Sequence, residues 1–204
     1  MADSFSRART PEQRAVRSDA IRAAARELLT STIASQVTLR AIAGRAGLAP
    51  SNVLRHGGSR EEILLDVMDE QYAGWLDELE RSLGRDATTE KAASTMAESL
   101  AGHPVLLTLI EESPELLRHV APGARVLEQG HRHQQRLASI VERALGVELR
   151  PGDRALLVAG LHASVAGAAA WSRQGVFASS QAGAVRDLLA IQLEGLAARA
   201  RRSG

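Results

Sequence analysis

The residues with the clearest chemistry are Ser51, Asn52 and Arg55, polar side chains projecting from a short segment anchored by Val53 and Leu54. Their chemistry is recognition rather than bond making. They can hydrogen-bond to base edges and phosphates, and a short helix carrying them suits a major groove about 12 Å wide. No acidic residue, which phosphates would repel, lies between Thr38 and Arg60, a stretch that also holds Arg40 and Arg45.

Other chemistries find less support. The chain has no cysteine, which removes disulfides, thiolate zinc sites and cysteine nucleophiles together and makes a reducing cytoplasm the expected setting. His131 and His133 are two apart on a predicted helix and so face different ways, and His131 with Glu128 lacks a third ligand; no metal or other cofactor is expected. Adjacent Glu111 and Glu112 cannot converge as an acid–base pair, and no glycine-rich phosphate loop follows a strand, so an enzyme is not expected.

The elements that must position Ser51, Asn52 and Arg55 are two short helices and a turn. Thr38 is a candidate N-cap, and Leu39, Ile42, Ala43 and Ala46 share one face, which predicts a helix over 39–45. Gly47 follows where the chain turns sharply, since glycine enters positive φ without a Cβ penalty. Pro50 suits the first position of a second helix, where its missing N–H is no loss. The pattern is a helix-turn-helix.

Charge divides along the chain in the same sense. Through Arg60 there are ten arginines against four acids, net +6, and the remainder is net −5 although the whole chain is only +1. A basic first third on an acidic remainder is what one polyanion-binding region would produce.

Helical periodicity continues almost everywhere. Ile21, Ala24, Ala25, Leu28 and Leu29 form a stripe opened by Ser18, predicting a helix over 18–30 behind a polar arm at 1–16 that lacks an apolar signal region. Ser59 with Glu62 is a capping-box signature opening a long helix to about residue 82, which should connect two domains. Further helices are predicted at 89–101, 104–113, 115–119 and 124–145, separated by Gly102, Pro104, Pro114, Pro122 and Gly146. With no alternating strand pattern and only 2% aromatic residues, the expected fold is all-α, a three-helix N-terminal domain plus a larger C-terminal helical domain.

Two C-terminal helices stand out. Residues 155–171 carry no charge, and Gly160, Ala163, Ser164, Gly167 and Ala168 place small side chains at three- and four-residue intervals. This stretch reads as too short and polar to cross a membrane, which needs about 20 strongly apolar residues. The last helix, 180–201, sets Val185, Leu188, Leu189, Gln192 and Leu196 on one side. Together the two predict a homodimer interface through Gly160, Ala163, Ser164, Gly167, Val185, Leu188, Leu189 and Leu196. An isologous pair would hold two reading helices about 34–36 Å apart, one turn of DNA.

In the order and spacing of residues 17–67 the chain resembles the TetR family of bacterial one-component transcriptional regulators. That resemblance implies a DNA-binding domain over 17–75 (motif about 38–57), a regulatory and dimerisation domain over 76–204, and a cytoplasmic repressor released from a palindromic double-stranded operator by a small-molecule effector. It also implies that Thr38 and Arg40 open the first motif helix against DNA, and that Ala49, Pro50, Ser51, Asn52 and Arg55 form the reading surface. His56 and Arg60 would touch phosphate. The effector pocket it implies draws on Tyr72, Trp75, Met96, His103, Leu106, Leu107, Ile110, His119, His131, His162 and Trp171.

The sequence departs from the family pattern at one place. Where the family carries an aromatic pair ending in Phe, this chain has His56 and Gly57, followed by Gly58, and Leu54 stands where a tyrosine often contacts phosphate. The missing Phe predicts a softer turn after the reading helix and a higher melting midpoint for Gly57→Phe. These departures also sustain a second reading, a TetR-like helical dimer that has lost specific DNA binding and acts through protein contacts.

Overall fold

A chain that marks several expected helix starts with a capping residue or a proline should fold into helices whose ends are fixed locally, and the computed structural model has that form. It describes residues 11–120, 124–176 and 180–202. Among these are nine α-helices, one 3-10 turn and no strand. The chain divides into two compact units, Met1–Val67 and Met68–Gly204.

The first unit holds α1 (Pro11–Leu29), a 3-10 turn (Ala34–Gln36), α2 (Leu39–Ala46), α3 (Pro50–Gly57) and the start of α4 (Arg60–Ser82). α1 begins seven residues earlier than its apolar stripe predicts, so the expected polar arm is cut to residues 1–10, which lie outside the described residues. The reason is local: proline is pre-organised for a first helical turn, and Glu12 complements the positive helix end. Ile21, Ala25, Ala34, Ile42, Ala43, Val53 and Ile63 are fully buried and form this unit's core.

The second unit contains the rest of α4 with α5 (Thr89–Ala101), α6 (Pro104–Arg118), α7 (Ala124–Leu145), α8 (Pro151–Arg173) and α9 (Gln181–Arg201). α9 packs on α5 and α8, and α8 also packs on α6 and α7. Thr88 and Ser180 cap α5 and α9 by accepting from Lys91 N and Gly183 N, each at 3.2 Å. The core is aliphatic around Tyr72 and Trp75, with Leu76, Leu79, Met96, Leu106, Ile110, Leu161, Val165, Leu189 and Leu193 buried.

One predicted break is absent. The sequence places separate helices at 104–113 and 115–119, yet α6 runs through Pro114 without interruption. Pro114 has no N–H to give the Ile110 carbonyl, and Ser113 Oγ donates to that carbonyl instead at 2.9 Å. The usual cost of an interior proline is thereby reduced.

α8 is longer than the uncharged stretch suggests. Its 23 residues are long and apolar enough to cross a membrane by length and composition, contrary to the sequence expectation. Here it packs among α6, α7 and α9, and its first turn is polar. Asp153 in that turn is buried, and Arg199 Nη2 of α9 lies 2.6 Å from its Oδ1, at an angle that makes an ion pair rather than a hydrogen bond. Removing Arg199 strands a buried carboxylate, so Arg199→Ala should destabilise by about 3 kcal/mol, the low end for a broken buried pair because Arg199 reaches water. Urea unfolding checks this, and an unchanged midpoint would mean that the Asp153–Arg199 pair contributes nothing to stability.

Candidate nucleic-acid interface

The geometry of the first unit follows from its caps. Thr38 Oγ1 accepts from Ala41 N at 3.1 Å, fixing the start of α2. Gly47 ends that helix at φ 64°, ψ 31°, and Leu48 N bonds back to Ala43 O at 2.9 Å. The chain then needs only Leu48 and Ala49 before Pro50 opens α3. α3 buries Val53 and turns Ser51, Leu54 and Arg55 outward, with Ala49 and Pro50 exposed at its head. Asn52 is half-buried and its Oδ1 accepts from Arg55 Nη2 at 2.9 Å, so these two side chains are already oriented together.

Arg40 is exposed at the head of α2 and forms no hydrogen bond or ion pair with a described residue. Arg45, on the same helix, is held by Glu27 of α1. The expected phosphate contacts are placed differently. His56 is half-buried against α1: its carbonyl accepts from Ser18 Oγ at 2.8 Å, and its Nε2 lies 3.5 Å from Arg17 Nη1. Burial, then the nearby Arg55, Arg17 and Arg14, hold its pKa below the ordinary 6.5. These influences disfavour the imidazolium, and through its carbonyl and Nε2 His56 ties α3 to α1. Arg60 is likewise engaged, donating to the carbonyls of Val37 and Ala34 and pairing with Glu61. It clamps the 3-10 turn that precedes α2.

The turn after α3 is closed by hydrogen bonds around its glycines. Gly58 takes φ 84°, which a side chain would resist, and its N–H bonds to Leu54 O at 3.1 Å. Ser59 N then donates to Glu62 Oε2 at 2.7 Å while Ser59 Oγ accepts from Glu62 N at 3.1 Å, the reciprocal capping box that the sequence predicts. Gly57 is closely approached by two side chains. A Cβ there would stand 3.0 Å from Ile21 Cγ2 and 3.1 Å from Ile63 Cγ1.

In the second unit, the pocket candidates Tyr72, Trp75 and His162 come together. Tyr72 meets Trp75 edge-on at 5.3 Å between ring centres and stacks between His133 at 4.9 Å and His162 at 5.9 Å. Asp69 holds His133 Nε2 at 2.6 Å and accepts from Gln129 at 3.0 Å. Ser113 Oγ lies 3.3 Å from His162 Nδ1. Burial pushes the Tyr72 hydroxyl up and lowers His162 to about 4. Tyr72 Oη and Trp75 Nε1 are buried with no hydrogen-bond partner among the described residues.

The other candidates are scattered. Met96, Leu106 and Ile110 fill the core, and Leu107 lines a small apolar pocket beside Leu100 and Val185. His103 pairs with Glu78 at 3.0 Å, His119 with Glu115 at 2.8 Å, and His131 and Trp171 are exposed. Among the described residues, no three histidine or acidic side chains converge as a metal site.

The interface candidates divide in the same way. Gly160, Ala163 and Ser164 of α8 line an open groove with Leu156, Ile191 and Gly195. Val185, Leu189 and Leu196 face inward and are buried within the unit, so they are core residues first; Leu188 is half-buried. The apolar residue that α9 leaves outward is Ile191, 70% exposed, which the sequence reading missed. At this crossing the Gln192 side chain passes over Gly160 to donate to Leu156 O at 2.8 Å and Leu157 O at 3.2 Å.

Residues 69–184 match the family model described as tetracyclin repressor-like, C-terminal domain. Among solved structures the chain is similar to a TetR transcriptional regulator from Rhodococcus sp. RHA1, at 20% identity and a TM-score of 0.61 over 91% of this chain and 99% of that one. It is also similar to the regulator FadR from Bacillus subtilis, solved with stearoyl-CoA, at 16% identity and a TM-score of 0.57 over 87% and 98%. The fatty acid degradation regulator FadR from Bacillus halodurans follows at 17% and 0.53 over 87% and 94%. No curated protein matches the chain in sequence. At these identities the likeness establishes the fold.

Proposed function

The chain belongs to the TetR family, and from that premise we propose that it is a homodimeric, ligand-responsive transcriptional regulator whose α2–α3 motif binds a palindromic operator in double-stranded DNA. The observation that carries this reading is the outward face of α3: Ser51 and Arg55 are exposed beside Arg40, on a segment without an acid from 38 to 60. Val53 and Gly57 seat the opposite face. Arg40, Ser51, Asn52 and Arg55 read bases, while Thr38, Ala49 and Pro50 shape the helix ends. His56 and Arg60 act one step back, by holding α3 and α2 in place.

Dimerisation is supported by α8. Much of its apolar length is left uncovered within the chain, and Leu156 and Ile191 remain 48% and 70% exposed on its groove. A second copy seated there would cover this apolar surface isologously. An effector site is supported by Tyr72 and Trp75, two buried donors without acceptors among the described residues, each of which costs about 1–3 kcal/mol. A small molecule bringing an acceptor removes that cost, and its differential affinity shifts the spacing of the two DNA-binding units, releasing the repressor.

Selection of the purified protein on random duplexes at moderate salt tests the reading. An inverted repeat with half-sites about ten base pairs apart is expected. Arg40→Ala should then weaken the selected site by about 1–3 kcal/mol and relax one half-site position. A folded dimer that enriches no duplex would favour the protein-contact reading instead.

A further inference from the structure

We propose that Leu54 reads the C5-methyl group of a thymine in the operator half-site. The inference rests on the DNA-binding reading above and adds the chemistry of one base position. α3 has one face inside the domain, where Val53 is fully buried and Gly57 lies against Ile21 and Ile63. The other face carries Ser51, Leu54 and Arg55, at the i, i+3 and i+4 spacing of one helical stripe.

Leu54 is the anomaly in that stripe. It is 56% exposed at the middle of an otherwise polar and cationic face, with Arg55 beside it and no acidic residue from 38 to 60. That charge suits a polyanion rather than an apolar protein surface. On duplex DNA the phosphates are wholly polar, and the one apolar group offered in the major groove by the four standard bases is the thymine methyl. Ser51 and Arg55 meet polar base edges or phosphate on either side, and Leu54 between them meets the methyl. Burial of one such group corresponds to roughly a fourfold change in affinity.

The test uses the full-length protein and its selected duplex, with each thymine replaced singly by deoxyuridine, which removes only the methyl. Wild-type protein should bind one substituted duplex roughly fourfold more weakly at a single half-site position. Leu54→Ala should bind that duplex and its thymine parent equally, with an unchanged melting midpoint because Leu54 is exposed. Tolerance of uracil at every position, a half-site without thymine, or a methyl effect that persists in Leu54→Ala would each overturn the assignment. The scan on wild-type protein can overturn the assignment by itself, and loss of the methyl effect in Leu54→Ala is what attributes the contact to this side chain rather than to Ala49 or Pro50. Failure to select any duplex would instead overturn the DNA-binding reading, and this inference with it.

Discussion

Gly57→Phe should melt lower than the wild-type protein, by about 4–8 °C if the overpacking costs roughly 2 kcal/mol. The sequence alone predicts the opposite, because a phenylalanine at this position would restore an aromatic anchor. The structure reverses the sign. Ile21 of α1 and Ile63 of α4 already converge on the Gly57 Cα, leaving an added Cβ only 3.0–3.2 Å from three of their side-chain carbons. Both isoleucines are fully buried and branched at Cβ, so neither can swing aside without opening the core that seats α3. Gly57→Ala provides a graded control, since its gain in helix propensity of about 1 kcal/mol offsets part of the clash. A thermal melt by circular dichroism decides the matter; a midpoint for Gly57→Phe equal to or above wild type would show that α1 can retreat freely.

Acidification should destabilise the protein well above the carboxylate range, and His162 should account for most of that loss. Its ring is half-buried beside Tyr72 and Ser113, and desolvation there lowers its pKa from 6.5 to about 4. The unfolded chain therefore takes up a proton near pH 6.5 that the folded chain refuses until about pH 4. Stability is complete above pH 6.5, falls as pH drops through the window, and by about pH 4 is lower by about 3 kcal/mol. His56 is shifted in the same direction in the other unit. Glu78, Glu80 and Glu115 have pKa values held below 4.5 by their hydrogen bonds to His103, Arg136 and Arg118, so their contribution is lost only at lower pH. Urea unfolding of wild type and His162→Leu from pH 7 to pH 4.5 isolates the histidine. The variant should show a shallower pH dependence; parallel curves would place the titrating group elsewhere.

What the sequence by itself determined is everything written in hydrogen bonds three or four residues apart. Thr38 caps the helix expected of it, Ser59 and Glu62 close their box, and Gly47 turns the chain where a left-handed residue is required. These signals are local, so the all-helical fold and the helix-turn-helix are legible without any tertiary contact. Where local signals were weak or conflicting, boundaries moved: α1 starts early at Pro11, and Pro114 stays inside α6 because Ser113 takes over its carbonyl.

Only the tertiary structure decided which way side chains face and what they meet. Arg60 and His56 carry the residue types of phosphate ligands, yet one clamps Ala34 and Val37 and the other is tied to Ser18 and Arg17, partners 23 to 39 positions away. α9 has two sides with apolar residues, and the rotation that buries Val185, Leu189 and Leu196 leaves Ile191 outside. Tyr72 and His162 meet across 90 positions that carry no mutual signal. The physical reason is common to all of these. Hydrogen-bonded turns are fixed by near neighbours, whereas burial is settled by competition among every apolar surface in the unit, and one chain's pattern of residues does not reveal which surface wins.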